Sequence, residues 1–561
     1  MAGGLFNLVS QGQQNIVLNG NPNKSFFRKT WKKYKNFGMQ KFRIYYQGSK
    51  TLSLTDPSYF SFKVPRYADL LMDTFISVNL PNIWSPIFPP SEQNENNTGQ
   101  WAPYEFKWIE NIGAKMINLI SITSGGQVLQ QFSGDYLLAS VQRDFSSEKK
   151  ALFDKMIGNI PELNDPANAN SRTNTYPNAY YTDSIAGAEP SIRAYTLMIP
   201  LNAWFCLCPS SALPLVALQY NEIHINIEFK PINQLFVIRD VLDYENNFPY
   251  VYPNFNQYYM QFYRFLQTPP DVCLDISSYS DTRSIWNADI HLRSNYVFIS
   301  DEEQKYFAKH SHSYLIKQIH ETQFFNVTGS NKIELNSTGM TNSFLFYFQR
   351  SDVNLRNEWS NYTNFPYNYI PRNVIPAPSS GYYPILRTNA DGTQTEVYIG
   401  PGVNSNGTLT GLMITDSYSD ENEKNILIQL GILLDGYYRE DPQPVGVYNF
   451  VEKYTRTSGN APDGLYCYNF CLYTSPFNTF PSGSIDLSLF NKIELEFTTI
   501  NPPINPFAQT LSICDPETKQ IIGINKPTYQ IYEYNFNLYF FEERVNFIWI
   551  ESGMAKLAYA L

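Results

Sequence analysis

Five histidines, six cysteines and a few carboxylate pairs bound the chemistry open to this chain. His310 and His312 stand one residue apart, with Glu321 downstream, and could offer nitrogen and oxygen ligands to a metal. A zinc site needs a complete ligand set at workable spacing, and an H-x-H pair without a fixed third ligand reads as incidental. Cys206/Cys208 and Cys467/Cys471 are spaced C-x-C and C-x3-C, and Cys273 and Cys514 stand alone. No zinc quartet results, so the six are expected to be reduced thiols in a core. Asp301/Glu302 and Glu542/Glu543 could serve acid–base chemistry only if separate elements brought carboxylates to a cleft. Beside helix or strand ends they read as solvated charge. His224 falls on the polar face of an alternating run and is expected to be exposed; His291 and His320 fit no pattern. No G-x-x-x-x-G-K-[ST], H-E-x-x-H or G-x-S-x-G occurs. The expectation is no catalytic residue, no cofactor and no metal.

One stretch does invite a binding role. "KSFFRKTWKKYKNF", Lys24 to Phe37, holds six basic residues, five aromatic ones and no acid. Residues 1–55 contain nine Lys or Arg and no Asp or Glu; removing that charge from the formal net of −10 leaves −19 for residues 56–561. Basic side chains could hold phosphates while aromatics stack on bases. A nucleic-acid-binding domain is basic over a broad face, however, and this chain has a pI near 5.2. The favoured reading packs the aromatics under the domain and lays the Lys stems along its rim. The missing carboxylates then point to a surface facing anionic lipid or a packaged genome.

The elements that must carry these residues are strands. Charged residues make up 16% and aromatics 16%, with 42 Tyr and 39 Phe, a β-favouring composition suited to large buried contacts. Phe60, Phe62 and Val64 alternate with Ser61 and Lys63. Ile223, Ile225, Ile227 and Phe229 alternate with polar neighbours, as do Ile493, Leu495 and Phe497. Each run predicts a strand with one buried face. Many such strands between Pro- and Gly-bearing loops predict a sandwich or barrel. Two short inserted helices are expected, one after a capping box at Ser300 and Glu303, the other over Ser147 to Ile157. "FCLCPSSALPLVALQYNEIHINIEF" (Phe205–Phe229) is echoed by "FCLYTSPFNTFPSGSIDLSLFNKIELEF" (Phe470–Phe497), about 265–270 residues later. The echo predicts two similar β-domains in tandem. "MAGGLFNLVSQGQQ" lacks the marks of a signal peptide, and no run reaches the ~18 apolar residues of a membrane helix. A reducing cytosol is therefore expected. Of six N-x-[ST] triplets (Asn23, Asn96, Asn326, Asn336, Asn361, Asn406), Asn336, Asn361 and Asn406 are the candidate glycosylation sites.

The N-terminal run "MAGGLFNLVSQGQQNIVLNGNPNKSFFRKTWKKYKNF" resembles the opening signature of major capsid proteins of large nucleocytoplasmic DNA viruses. Gly3, Gly4, Leu5, Gly12, Leu18, Pro22, Phe26, Phe27, Tyr34, Asn36 and Phe37 fit it. "IPLNAWFCLCPSSALPLVALQYNEIHINIEF", "YVFISDEEQKYFAKHSHSYLIKQ", "PSGSIDLSLFNKIELEF" and "SGMAKLAYAL" are similar to later family segments, in family order. The resemblance implies an all-β chain of two tandem eight-stranded antiparallel jelly rolls, with a few short inserted helices and long surface loops. It implies an arm over 1–24, a first jelly roll over 25–236 and a Tyr/Asn-rich connection over 237–283. A second jelly roll would follow over 284–561, with a long loop insertion at about 351–465. It further implies a homotrimeric capsomer in the outer shell of a virion assembled in the host cytoplasm. The partners would be neighbouring capsomers, minor cement and penton proteins and the internal membrane, with no sequence-specific nucleic acid. Lys24, Arg28, Lys29, Lys32, Lys33 and Lys35 become a candidate inner-face patch. A poxvirus-like scaffold or minor capsid paralogue is the alternative within the fold; a jelly-roll lectin or carbohydrate-active enzyme is the remote one.

Overall fold

The structure, a computed structural model, describes residues 3–559 except 10, 11, 30, 49, 50, 88–103, 180–186, 244–247, 270–278, 366–373, 377–382, 389–391, 400–412, 416–422, 479, 503–510, 515–520 and 526–533. Asn96, Asn406 and Cys273 lie outside the described residues.

Among the described residues, sixteen strands run through the four largest sheets. In the first half they are β1 (Gly38–Tyr45), β2 (Ser58–Lys63), β3 (Leu70–Leu80), β4 (Ile117–Ser124), β5 (Gln127–Phe132), β6 (Tyr195–Pro200), β7 (Ile223–Phe229) and β8 (His291–Phe298). In the second half they are β9 (His312–Phe324), β10 (Ser330–Glu334), β11 (Met340–Arg350), β12 (Leu427–Leu434), β13 (Tyr437–Pro444), β14 (Leu465–Asn469), β15 (Ile493–Thr499) and β16 (Phe536–Glu551). The first lobe has sheets ordered β1-β8-β3-β6 and β2-β7-β4-β5; the second has β9-β16-β11-β14 and β10-β15-β12-β13. Raising each first-lobe label by eight gives the second lobe, and all these pairings are antiparallel.

The period-two runs fold as their alternation requires. Ile223, Ile225, Ile227 and Phe229 of β7 are buried while the residues between them are half-buried. Phe60 and Phe62 of β2 face the same interior. The β4–β5 and β12–β13 hairpins close through two-residue loops, Gly125-Gly126 and Asp435-Gly436, all four residues at positive φ. That backbone matches strand twist and suits Gly and Asp. The sequence echo maps onto equivalent places. Short strands Leu213–Pro214 and Ile485–Asp486 pair with β3 and β11, and β7 and β15 follow them.

Two boundaries differ from expectation. The second lobe does not begin at 284: β8 pairs with β1 from Gly38↔Phe298 to Tyr45↔His291 and lies between β1 and β3. A sheet of this order needs its last strand beside its first, so the first lobe reaches Phe298. The segment 237–283 is also no free connection. Phe236–Arg239 pairs with Phe106–Trp108 and Tyr250–Val251, and Phe262 and Phe265 are fully buried. Phe236 stacks on Phe106 and Phe262 at 4.6 and 5.1 Å. Its aromatics fill the first lobe.

Both expected helices form, at Ser147–Met156 and Asp301–Lys309. The Ser300 side chain makes no cap hydrogen bond, however; only its carbonyl accepts, from Gln304 N–H at 2.9 Å. A third helix, Gly134–Asp144, lies between the lobes.

Candidate assembly surfaces and the seam between the lobes

The seam is built from helix Gly134–Asp144 against one face of the sheet β9-β16-β11-β14. Ser133 caps the helix by accepting Tyr136 N–H at 3.1 Å. A strand turns successive side chains to opposite faces. In β11, Phe344, Phe346 and Phe348 therefore enter the second-lobe core, while Leu345 and Tyr347 join the larger cluster that fills the first lobe and crosses the seam.

Charge is buried along this join. Arg143, 0% exposed, donates to Asp144 and Glu543 at 2.7 Å each. Glu543 also accepts from Tyr136 (2.7 Å), Ser343 (2.8 Å) and Lys317 (3.2 Å). Burial alone would raise the Glu543 pKa; Arg143 and Lys317 outweigh it and hold the carboxyl well below its usual range. On the opposite face of β16, Glu542 accepts from Ser337, Thr341 and Arg544 at 2.7, 2.6 and 3.0 Å. Glu542 and Glu543 are thus not solvated, as expected from sequence, but 1% and 0% exposed. Nearby, Lys115 Nζ donates to Asp135 at 2.6 Å and to Tyr362 at 3.3 Å. Burial opposes the Lys115 charge, and Asp135 overrides it, raising the pKa. A strap beyond β11 completes the join. Arg350 and Arg356 share Asp352, Asn357 donates to the carbonyls of Asn233 and Phe236 at 2.8 Å, and Trp359 Nε1 donates to Gln234 O at 3.0 Å. The front of the expected 351–465 insertion is therefore bound to the first lobe.

The remaining chemistry-bearing residues are scattered. His312 opens β9 and Glu321 lies nine residues on, about 30 Å along an extended strand; they cannot share an ion. His310 stacks on Tyr306 at 4.2 Å, and His312 contacts Phe307 O at 2.8 Å. His291 is buried against Asp289 O at 2.6 Å, and His224 is 36% exposed beside Glu222. No metal-binding group of His, Cys, Asp or Glu occurs among the described residues. Cys206 and Cys208 are half-buried free thiols, and Cys467 and Cys471 are buried ones. No helix among the described residues is long and apolar enough to cross a membrane.

The basic stretch lies along the surface. Lys24, Arg28, Lys29, Lys32, Lys33 and Lys35 are all exposed, and Lys35 comes within 4.0 Å of Glu302. Its aromatics do not pack under the domain: Phe26 and Phe27 are fully exposed, and Trp31, Tyr34 and Phe37 largely so. They precede β1, where pairing begins, so no sheet covers them. Asn361 is corrected as a glycosylation candidate. It is 3% exposed, its amide donates to Phe365 O at 2.8 Å, and its Oδ1 accepts from Thr363. Asn336 is exposed.

Comparison with known proteins gives this geometry its family. A model described as the major capsid protein N-terminus matches residues 25–293, and one described as the large eukaryotic DNA virus major capsid protein matches residues 303–556. The chain belongs to the major capsid protein family of large eukaryotic DNA viruses. The first match ends within β8 and the second begins within the helix that precedes β9. The major capsid protein of Phaeocystis pouchetii virus is 23% identical over 595 residues, and that of Paramecium bursaria Chlorella virus 1 is 24% identical over 569; each match covers 100% of both chains. The Faustovirus major capsid protein structure superposes with a TM-score of 0.59 at 12% identity, covering 98% of this chain and 96% of that one. This major capsid protein family member has the double jelly-roll fold, and its family is structural, not enzymatic. Sequence reasoning took Glu543 for solvated charge and missed the seam residues Tyr136, Arg143 and Lys317. Lys317 and Glu543 carry one signal, a charge inside an apolar strand run, as in "LYFFEERVNFIWI"; Tyr136 and Arg143 lie on a helix and lack it.

Proposed function

We propose that this capsid protein homotrimerises into pseudo-hexagonal capsomers that tile the icosahedral outer shell of a large double-stranded DNA virus. The observation that carries this reading is the identical strand order of the two lobes. Three chains around an axis then present six similar lobes, a block that packs side by side in a closed lattice. Assembly belongs in the host cytoplasm, with neighbouring capsomers, cement and penton proteins as partners. Lys24, Arg28, Lys29, Lys32, Lys33 and Lys35 face the inner layer, where internal membrane or minor proteins present negative charge. Exposed Asn336 is the glycan acceptor to examine first.

Native mass in solution tests the block. A stable particle near three times 64.7 kDa is expected, and a monomer at every concentration refutes the reading. Reversing all six basic charges is expected to leave the trimer intact and abolish its association with the inner layer; unchanged association refutes the assignment of that face.

A further inference from the structure

The stretch before β1 stands clear of both lobes. Phe26, Phe27, Trp31, Tyr34 and Phe37 are exposed, as are Leu5, Phe6, Leu8, Val9, Ile16 and Val17 ahead of them. A Cβ on Gly3, Gly4 or Gly12 would meet no atom within 4 Å. Its charge is equally uncovered. No Asp or Glu occurs in residues 1–55. Among the described residues, the one acid paired with the six basic side chains is Glu302, itself exposed and 4.0 Å from Lys35. An exposed pair of that length leaves the lysine charge available.

The spacing of these residues has an order that the free chain does not use. The described part of 21–37 holds no helix or strand. At about 100° per residue, a helix over 24–37 would gather the five aromatic residues into an arc of about 140°. Lys24, Arg28, Lys29, Lys32, Lys33 and Lys35 would fill the opposite arc of about 180°, and Thr30 alone would break the aromatic face. In water that helix is opposed: Arg28/Lys32 and Lys29/Lys33 are like charges four apart, and a segment this short is marginal by itself. An anionic surface that also accepts aromatic rings removes both obstacles at once.

A lipid surface meets that description. Anionic headgroups neutralise Lys and Arg, and the boundary with the acyl chains takes Trp, Tyr and Phe. A helix satisfies its own backbone there, which an irregular segment cannot do. A nucleic acid held by the basic face would leave the aromatic face in water. Leu5–Val9 and Gln13–Asn19, already helical and without a charged residue, add a second apolar anchor, and stable attachment to a bilayer takes two signals. We infer that residues 24–37 fold into an amphipathic helix on an anionic lipid surface, basic face to the headgroups and aromatic face to the acyl boundary. The inference rests on the capsomer reading, in which this face meets the inner layer, and commits that layer to lipid.

The test uses the full chain, its trimer verified by native mass, with vesicles of phosphatidylcholine alone or mixed equally with phosphatidylserine. Flotation with the anionic vesicles and not with the neutral ones is expected. Amide hydrogen exchange over 24–37 is expected to slow only in the anionic mixture. Thr30→Pro alters no charge and no aromatic side chain but breaks a helix, and is expected to weaken flotation roughly a hundredfold. Phe27→Ser with Trp31→Ser keeps all six charges and is expected to weaken it by about tenfold or more. All three positions precede the first paired strand, so native mass is expected to be unchanged in both variants. Flotation that either variant retains in full overturns the inference. So does a trimer that never floats, which gives the arm a protein partner instead, or exchange that slows with double-stranded DNA and not with vesicles. These outcomes leave the trimer standing; a monomer by native mass overturns the capsomer reading and this inference with it.

Discussion

At the scale of single residues, the sequence shows which groups ionise but not what faces them. Glu542 and Glu543 look like one solvated pair, yet they sit on opposite faces of β16 in two separate buried networks. Only the crossing partners, more than 190 residues away in sequence, decide this. Glu321 shows the consequence for pH. Its carboxylate accepts Ser133 N–H at 2.7 Å across the seam. Burial raises its pKa from 4.5 to about 7; Asp135 adds to the rise, while the Ser133 bonds and Lys230 oppose it. A carboxyl with a raised folded pKa stabilises the fold fully below its unfolded value. That contribution is lost as pH climbs from 4.5 through about 7. Denaturant unfolding at fixed pH values is therefore expected to show stability falling over this window, and Glu321→Gln, neutral throughout, is expected to flatten that part of the profile. An unchanged slope in Glu321→Gln would show that Glu321 is not the group titrating.

At the scale of elements, legibility followed local pattern. The alternating strands β2, β7 and β15 could be read because period two is written in consecutive residues. Helix Ser147–Met156 could be read because its first residues are polar and capped. Helix Gly134–Asp144 could not. Tyr136, Leu137, Leu138 and Val141 are buried, and so are Gln142, Arg143 and Asp144, so its polar face is covered by the other lobe, which no local pattern announces. Its opening depends on close approach: a Cβ on Gly134 would stand 2.0 Å from Ala114 O and 2.6 Å from Ile117 O. Since both clashing atoms are backbone, Gly134→Ala is expected to push the helix off its seat and cost roughly 3 kcal/mol. The measurement is the chemical denaturation midpoint beside Ser133→Ala, which loses the cap, about 1 kcal/mol, together with the hydroxyl's bond to Glu321. If Gly134→Ala proves the milder change, the close packing of this helix does not govern its placement.

At the scale of the whole molecule, two lobes were legible from the echo, but the boundary between them was not. "YVFIS" runs directly into the helix that leads to β9, and the family resemblance placed the whole run at the opening of the second lobe. Sheet closure assigns it to the first, because among the described residues β1 has no other neighbour in its sheet. The covalent link between the lobes is then only residues 299–311, and helix Asp301–Lys309 within it has no buried residue. The lobes are held instead by the apolar cluster that crosses the seam, by the Arg143–Glu543 network and by the strap through Asn357 and Trp359. Cutting the link spares these contacts and disturbs those of the link itself, Gln304 with Asp69 and Phe307 with His312 and the Leu70, Ala212 and Val297 cluster. A protease site engineered into 301–309 and cleaved under native conditions is therefore expected to leave both fragments co-eluting at the uncut size, separating only in denaturant. Fragments that part in buffer would mean that the seam is too weak to hold the lobes in register, and the link itself would then have to position them.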